Sequence, residues 1–229
     1  MKPTLPSSIL FLDIETVPLW PSLEEAPERF RKLWQRKAEI LARHQPGTPE
    51  ILYERAGIYA EFGRIICISV GYFAEGSARI KSFVSEDEKN LLMEFSELMR
   101  HPKFEKLCGH NAKEFDFPYI CRRLLAQDLP LPELLNLSGK KPWEVQLLDT
   151  MEMWKFGDFK SFVSLDLLSA VLGLASPKSD MDGSQVYSVF YHEKDLEKIR
   201  LYCEQDVRTL MGVFARLNGY SLEGIFLPE

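Results

Sequence analysis

The segment Ile9-Leu10-Phe11-Leu12-Asp13-Ile14-Glu15-Thr16 is apolar in its first half and contains two acids in its second half. Its four apolar residues in a row, preceded by Pro and Ser, are typical of a buried strand. Side chains two apart on a strand point to the same face, so we expect Asp13 and Glu15 on one side and Ile14 on the other. Buried like charges repel each other unless a proton or a cation intervenes, and hard divalent ions prefer oxygen ligands. The pair is therefore a candidate metal site, although acids that simply follow the end of a strand would be solvated.

Length and composition restrict the class of protein. The 229 residues, 45% of them hydrophobic, are enough for one sizeable core. A net charge of −6 does not fit a protein that coats duplex DNA with a basic face, but it allows an enzyme that grips a few nucleotides and holds metal with its acids. The four cysteines form no Cys-x-x-Cys pair, so neither a zinc ribbon nor a disulfide framework is indicated. With no signal peptide and no membrane-spanning run, we predict a cytoplasmic protein without a membrane partner.

Residues 19–62 are predicted to form a helical insertion between two strands, much longer than an ordinary connection. Phe30, Leu33 and Trp34 recur at helical spacing on the apolar side of the first helix. Thr48-Pro49 is a good start for another helix, with Thr as the cap and Pro at the first position. Two interpretations of the insertion stay open: a packed surface elaboration, or a flap that shapes access to the site.

Strand patterns continue after the insertion. We predict a central strand at Arg64–Phe73 and its hairpin partner at Ala78–Val84. Ser85-x-x-Glu88 matches a capping box that opens a helix. Shorter strands are predicted at Phe104–Gly109 and Glu144–Asp149. Three strands followed by alternating helices and strands predict an α/β fold.

Asp116 lies in the loop between the fourth predicted strand and the next helix. As the N-cap of that helix it would need no chemical role. A carboxylate at the end of a strand-to-helix loop is also well placed to face a ligand above the sheet edge. The residue alone does not decide between the two.

The last strong element is a helix from Asp195 to about Leu217. One stripe of this helix recurs at steps of three and four residues and comprises Ile199, Tyr202, Asp206, Leu210 and Val213. Asp206 is thus a carboxylate on an otherwise apolar face, with Tyr202 one turn earlier. An Asp at the edge of that face that reaches water is the alternative.

Acids at the ends of these elements can converge on one site. In chain order they are Asp13, Glu15, Asp116 and Asp206. Such a set can hold two divalent ions about 4 Å apart. In phosphodiester hydrolysis one ion activates water while both stabilise the developing charge. Tyr202 would be able to orient that water by a hydrogen bond.

The same residues resemble the motifs of the DEDD (DnaQ-like) superfamily of 3′–5′ exonucleases, which have the ribonuclease H-like fold. Phe11–Thr16 resembles the first motif, His110-Asn111-x-x-x-Phe115-Asp116 the second, and Tyr202-x-x-x-Asp206 the third. The tyrosine form of the third motif resembles the tyrosine (DEDDy) branch. Further segments are similar to predicted stand-alone exonucleases related to the proofreading domain of B-family DNA polymerases; they are Glu61–Ile66, Lys178, Asp182–Ser184 and Tyr202–Val207. The resemblance spans nearly the whole chain apart from the insertion.

This resemblance implies a fold and an activity. The fold would be a mixed five-stranded sheet with helices on both faces, in a single domain over residues 1–229 with the 19–62 insertion between strands 1 and 2. The activity would be two-metal-ion hydrolysis of nucleotides from the 3′ end of single-stranded nucleic acid, with DNA favoured over RNA, releasing nucleoside 5′-monophosphates. A DNA replication or repair protein would be its further partner.

The resemblance also implies a role for each site residue. Asp13 would bridge two Mg²⁺ or Mn²⁺ ions, and Glu15 and Asp206 would complete one of the two sites. Asp116 would hold the second ion, partly through water, while Tyr202 would position the nucleophilic water. The implied substrate-binding residues are Thr16, Asn111 and Phe115, the last two in the pocket of the terminal nucleotide.

Three alternatives share the fold or the chemistry: a 3′–5′ exoribonuclease, a catalytically idle nucleic-acid-binding subunit, and an endonuclease of the ribonuclease H kind. The complete acid set and the net charge of −6 argue against the idle subunit. Tyr202-x-x-x-Asp206 favours the exonuclease over the endonuclease. DNA and RNA stay undecided, because discrimination of a 2′-hydroxyl depends on pocket geometry.

Lys178 is either a phosphate contact or a solvated loop charge, and Asp149 and Asp182 have no assigned chemical role.

Overall fold

The computed structural model describes residues 5–158, 160–174, 181–222 and 225. The strands are β1 (Ile9–Pro18), β2 (Gly63–Ala74), β3 (Ser77–Val84), β4 (Lys106–Gly109) and β5 (Leu147–Asp149). The α-helices are α1 (Glu28–Leu41), α2 (Pro49–Tyr53), α3 (Glu88–Met99), α4 (Asp116–Ala126), α5 (Thr150–Lys155), α6 (Leu165–Val171), α7 (Val186–Ser188) and α8 (Leu196–Leu217). Short 3-10 segments occur at Ala56–Ile58, Glu133–Leu135, Pro142–Glu144 and Gly183–Gln185, and a π-helix at Val189–Glu193.

β1 lies at the centre of a sheet with the strand order β3-β2-β1-β4-β5. It pairs antiparallel with β2 and parallel with β4, while β2 and β3 form an antiparallel hairpin and β4 pairs parallel with β5. The predicted mixed five-stranded sheet is therefore confirmed. β1 runs on past Thr16, because Val17 and Pro18 still pair with β2.

The alternation of side chains along β1 separates two cores. Leu10, Leu12 and Ile14 pack on one face, in the core that also contains apolar residues of α3 and α4. Ile9 and Phe11 pack on the other face with α8. The ring centroids of Phe11 and the α8 residue Phe214 are 5.1 Å apart. Helices thus cover both faces of the sheet, as predicted.

α8 lies unusually close to the sheet. A Cβ atom added to Gly71 of β2 would lie 2.8 Å from Cγ1 of Val207, a separation that real Cβ atoms do not show. Glycine at this position therefore lets the middle of α8 approach the sheet beside β1. The residues just before this contact include Tyr202 and Asp206, so the close approach also fixes how near to the sheet these two side chains lie.

The predicted helical insertion contains α1, α2 and a 3-10 turn, Ala56–Ile58, between β1 and β2. Thr48 caps α2 as predicted, because its Oγ1 accepts a hydrogen bond from Ile51 N at 3.4 Å. Leu33, expected on the packed side of α1, is exposed, because α1 docks through the neighbouring Trp34 and successive residues point about 100° apart. A Cβ on Gly57 would lie 2.9 Å from the backbone of Val17, so this end of the insertion packs directly on β1.

The predicted capping box Ser85-x-x-Glu88 is wrong. The N-cap of α3 is Asp87, whose carboxylate accepts a hydrogen bond from Asn90 N at 3.2 Å. Glu88 is buried instead and accepts hydrogen bonds from Ile65 N at 2.8 Å and from Arg123 Nη2 at 2.6 Å. An arginine on a distant helix therefore competes with the local motif for this carboxylate, and the buried charge pair decides its position.

Two further side chains cap helical segments. Ser164 accepts a hydrogen bond from Leu167 N at 3.2 Å at the start of α6. Asp182 accepts one from Ser184 N at 2.8 Å at the start of the 3-10 turn Gly183–Gln185. Lys178 lies outside the described residues. Among the helices that are described, none is both long and apolar enough to cross a bilayer.

Candidate active site

β1 presents Asp13 and Glu15 on the face that α8 covers. They continue the alternation of Ile9 and Phe11, while Ile14 points into the opposite core. Glu15 is only 7% exposed, although a carboxylate is costly to bury. The pairing of β1 with β2 shifts register between Glu15 and Thr16 and then continues to Pro18. The predicted arrangement of the two acids on one face is therefore present.

α8 brings the third-motif residues to the same place. Its N-terminal half carries Tyr202 and Asp206 one turn apart, so the Tyr202 hydroxyl lies beside the Asp206 carboxylate. The charges of Asp206, Glu15 and Asp13 all act on this hydroxyl. Burial, followed by the charge of Asp206, raises the pKa of Tyr202, so the phenol stays protonated and remains a donor.

Asp116 joins the site from the start of α4. It is the first helical residue, and the N-cap position belongs to Phe115, whose side chain makes no capping hydrogen bond. The interpretation of Asp116 as an N-cap is thus wrong. Its Oδ1 accepts a hydrogen bond from Ile14 N at 3.2 Å, which ties α4 to β1 between the two acids of that strand. The carboxylate is buried at 5% exposure.

The four acids repel one another in the absence of a cation. Burial raises the pKa of Asp13 well above its usual value, and the charges of Asp116 and Asp206 raise it further. Burial also raises the pKa of Glu15, with the charge of Asp13 as the next cause. The pKa of Asp116 rises to about 7 and that of Asp206 to about 6, again mainly through burial. Buried, mutually repelling carboxylate oxygens are the donor set that a hard divalent cation stabilises, so these residues fit such an ion.

Cys203 is a neighbour of the site that the sequence did not single out. Its Sγ donates to the backbone oxygen and to Oδ2 of Asp13, both at 3.5 Å. Asp13, Glu15 and Cys203 each offer a ligand atom within 4.8 Å of the others. Burial raises the pKa of the Cys203 thiol, so it acts as a neutral donor to Asp13. Its position directly after Tyr202 on the predicted helix could have indicated that Cys203 lies near the site. A thiol in an apolar run is, however, more often an ordinary core residue.

A cleft of about 640 Å³ opens beside Glu15. Thr16 and Phe115, two of the three implied substrate-binding residues, line it. The insertion supplies one wall and the segment around α7 another; the residues from these walls are Glu54, Arg55, Gly57, Ile58, Gly183, Ser184 and Tyr187. This contribution of the insertion favours the interpretation of 19–62 as part of the access path rather than a remote elaboration.

Asn111, the third implied substrate-binding residue, lies in the loop between β4 and α4 and is not among the described residues that line the cleft. Its backbone is left-handed, with φ of +59°, and its N–H donates to Asp149 Oδ1 at 2.9 Å. The same carboxylate accepts from Lys113 N at 3.1 Å and Met151 N at 2.9 Å. Asp149 therefore holds the loop that leads to Asp116, a role that the sequence left unassigned.

His110 fixes the other side of this loop. Its Nε2 lies 2.8 Å from the carbonyl oxygen of Val163, which can only accept, so Nε2 carries the proton. Nδ1 lies 2.9 Å from Thr150 Oγ1. Burial lowers the pKa of His110, which favours this neutral tautomer. The histidine of the second motif thus joins the β4–α4 loop to the segment that precedes α6.

Comparison with known proteins agrees with this geometry. Residues 58–223 match the family model described as "Predicted 3'-5' exonuclease related to the exonuclease domain of PolB". The match includes Asp116, Tyr202 and Asp206, whereas Asp13 and Glu15 precede it and are brought to these residues by the pairing of β1 with β2 and β4. No curated protein matches the sequence.

Among solved structures, the chain is similar to the family B DNA polymerase from the hyperthermophilic archaeon Pyrobaculum calidifontis. The TM-score is 0.60 at 16% sequence identity, over 94% of this chain. The aligned part is 25% of the polymerase chain, so the likeness concerns one portion of that enzyme. At this identity it supports the predicted ribonuclease H-like fold.

Proposed function

Because this chain belongs to the family of predicted 3′–5′ exonucleases related to the exonuclease domain of PolB, we propose that it removes nucleotides from the 3′ ends of single-stranded DNA by two-metal-ion hydrolysis. The observation that supports the proposal is a group of mutually repelling acids: the pKa values of Asp13, Glu15, Asp116 and Asp206 are all raised. Glu15 and Asp116 are buried, and Asp13 and Glu15 offer ligand atoms within 4.8 Å of each other. Buried acids that destabilise one another need a functional reason, and cation binding supplies one.

Each residue has a distinct task in this proposal. Asp13, Glu15, Asp116 and Asp206 hold two ions, which we take to be Mg²⁺ or Mn²⁺ because all four ligand groups are carboxylates. Bound there, the ions would activate water and neutralise charge on the phosphate. The Tyr202 hydroxyl, which lies beside the Asp206 carboxylate, positions the nucleophilic water. The products are nucleoside 5′-monophosphates.

The cleft beside Glu15 is the proposed pocket for the terminal nucleotide. Thr16 and Phe115 line it, so a hydroxyl and an aromatic ring are available to the sugar and base. We propose that Asn111 contacts the terminal nucleotide from the loop between β4 and α4, outside the cleft lining. We also propose that residues 1–229 work as one exonuclease domain in which the 19–62 insertion closes one side of the cleft. Arg55, on that side, would attract the phosphate.

DNA is the proposed substrate because the matching family is related to an exonuclease domain of DNA polymerases. A partner in DNA replication or repair follows from the same relationship and stays a prediction. None of the described residues that line the cleft distinguishes DNA from RNA, so digestion of both substrates decides between them.

The test is time-resolved digestion of 5′-labelled single-stranded DNA and RNA with Mg²⁺ or Mn²⁺. We expect a ladder that shortens from the 3′ end of DNA, and that is lost in Asp13→Asn. Losing the acid at the centre of the cluster should lower kcat by about a thousandfold or more, because the charge stabilisation of the reaction depends on it.

The matched control is Glu105→Gln, an exposed carboxylate beside the start of β4, at the opposite end of that strand from Asp116. It should leave digestion unchanged. Cleavage that persists in Asp13→Asn, or cleavage of a 3′-blocked oligonucleotide at internal positions, would contradict the proposed exonuclease mechanism.

A further inference from the structure

Three aromatic side chains, two of them exposed, lie at the end of α5 and in the segment that joins α5 to α6. We call Trp154, Phe156 and Phe162 the aromatic ridge. Phe156 is 86% exposed and Phe162 66% exposed, whereas Trp154 is half-buried with its ring centroid 6.4 Å from that of Phe156. Exposed apolar rings grouped in this way are uncommon on a protein surface without a binding role.

The backbone of the ridge is strained where it presents Phe156. This residue ends α5 in the left-handed region with φ of +43°, a conformation that costs free energy for a bulky residue other than glycine. The ring of the same residue is exposed to water. A strained and exposed ring is a reason to look for a ligand.

Two lysines accompany these rings. Lys155 Nζ lies 4.4 Å from the ring centroid of Phe162, and Lys160 is exposed nearby in the sequence. Neither lysine forms an ion pair within the part of the chain that the structure describes. The one intervening acid, Asp158, accepts a hydrogen bond from Lys160 N at 3.0 Å. The ridge is therefore locally basic in a chain whose net charge is −6.

The ridge lies next to the acidic site and is anchored to it. Val163 accepts the hydrogen bond of His110 described above. Leu165, three residues after Phe162, packs against the core that contains Val207, the residue after Asp206. Three residues span at most about 11 Å of chain. Phe162 is thus held near the rim of the site.

The sheet order places the ridge and the cleft on opposite sides of the acids. The wall formed by the insertion packs near β1 and β2, whereas α5 follows β5 at the other edge of the sheet. A single-stranded nucleic acid whose terminal nucleotide occupies the cleft would continue across Asp13 towards β4 and β5. The bases upstream of the cleaved bond would then meet the ridge.

Resting on the proposed function, we propose that the aromatic ridge binds the upstream part of the single-stranded substrate, with Phe156 and Phe162 stacking on bases and Lys155 and Lys160 contacting phosphates. Exposed aromatic rings beside unpaired cations are the combination by which proteins bind single strands without reading their sequence. A protein partner docked on the same rings would not require the two lysines, so the cations favour nucleic acid.

The test compares Phe162→Ala with wild type on a DNA strand of about eight nucleotides and on a dinucleotide, which is too short to reach from the cleft to the ridge. We expect the ratio of kcat/KM for the long strand to that for the dinucleotide to fall about tenfold, mainly through KM, because one stacked base is lost. Lys155→Gln should reduce the salt dependence of long-strand binding, since one phosphate contact is removed.

Trp143→Ala is the matched control. Trp143 is 75% exposed and has Lys141 Nζ 5.2 Å from its ring centroid, but it precedes β5, at the opposite end of that strand from Asp149. It should leave the ratio unchanged. An equal effect of Phe162→Ala on both substrates, or the same fall in Trp143→Ala, would overturn the proposal.

A binding measurement distinguishes an error in the proposed role of the ridge from an error in the proposed exonuclease activity. Binding of the labelled strand is measured by fluorescence anisotropy in EDTA, where no metal-dependent hydrolysis occurs. If wild type binds the strand but cleaves nothing, the proposed function is wrong, and an increase of about tenfold in Kd for Phe162→Ala still supports the ridge. An unchanged Kd overturns the ridge in either case.

Discussion

At the scale of single residues, the site contains a phenol that burial and the neighbouring carboxylates keep protonated. The Tyr202 hydroxyl lies among carboxylates that raise its pKa, so it cannot become a phenolate near neutral pH. A protonated hydroxyl offers a water molecule one donor and two oxygen lone pairs. This arrangement favours a positioning role for Tyr202 over a role as a general base.

Tyr202→Phe tests this assignment. We expect kcat for single-stranded DNA to fall by roughly a hundredfold with little change in KM, because the ring still packs but the water loses its hydrogen bond. Single-turnover digestion measures the effect. The control is Tyr72→Phe, since the Tyr72 ring packs against Phe104 and its hydroxyl makes no hydrogen bond within the described residues. A Tyr202→Phe enzyme with wild-type kcat would exclude the positioning role.

The identity of the site acids was only partly predictable from sequence. Asp13 and Glu15 were recognisable because strand alternation fixes their face, and Asp206 because it interrupts an apolar helical stripe. Asp116 was ambiguous, and outside the site the capping role predicted for Glu88 was wrong, since a partner far away in sequence positions each carboxylate. Ile14 N is 102 residues from Asp116, and Arg123 is 35 residues from Glu88. Local patterns contain no information about such partners.

At the scale of elements, the loop between β4 and α4 is shaped by one carboxylate. Asp149 is 3% exposed and accepts three backbone hydrogen bonds, two from the loop and one from the first turn of α5. Asn111 and Met151 donate to Oδ1, and Lys113 donates to Oδ2. A short strand thereby orders the loop that ends at Asp116.

Asp149→Ala should destabilise the protein by about 2–4 kcal/mol, because it leaves partly buried N–H groups without acceptors. Asp149→Asn retains Oδ1 and loses only the acceptor for Lys113 N, so its cost should be about half as large or less. Urea unfolding of both variants measures the difference. Equal stability of Asp149→Ala and wild type would mean that the loop is held by its other contacts.

Elements with a strong period were predictable, whereas their docking was not. The alternation in β1 and the helical stripe of α8 place both elements correctly, because burial of apolar side chains determines them. The contact of the insertion with β1 depends on the backbone at Gly57, where no side chain signals the approach. The cleft wall is therefore a feature of tertiary packing that a one-dimensional pattern cannot supply.

At the scale of the whole molecule, the acid cluster makes stability depend on pH in a direction opposite to the common one. A carboxyl whose pKa is higher in the folded than in the unfolded state binds more protons when folded. Asp116 at about 7 and Asp206 at about 6 are such groups. Their contribution to folding stability therefore falls as pH rises from about 4, the unfolded value, to about 7.

In EDTA, Asp116→Asn should thus be more stable than wild type at about pH 8, by about 2–4 kcal/mol, and the advantage should shrink towards pH 5. The amide keeps an acceptor for Ile14 N and removes the charge. Burial lowers the pKa of His110, which by itself makes stability rise with pH, but this contribution is common to both proteins and cancels in the comparison. Thermal unfolding across this pH range measures the difference.

Adding Mg²⁺ should reverse the order at about pH 8, because a bound cation compensates the repulsion that the variant has already removed. Wild type should gain more stability from Mg²⁺ at about pH 8 than at about pH 5, where protonated carboxyls compete with the ion, and Asp116→Asn should gain less than wild type at both. A stability difference between the two proteins that stays constant with pH in EDTA would show that the Asp116 carboxyl is not destabilised by its surroundings. The physical argument for a cation among these acids would then lose its basis.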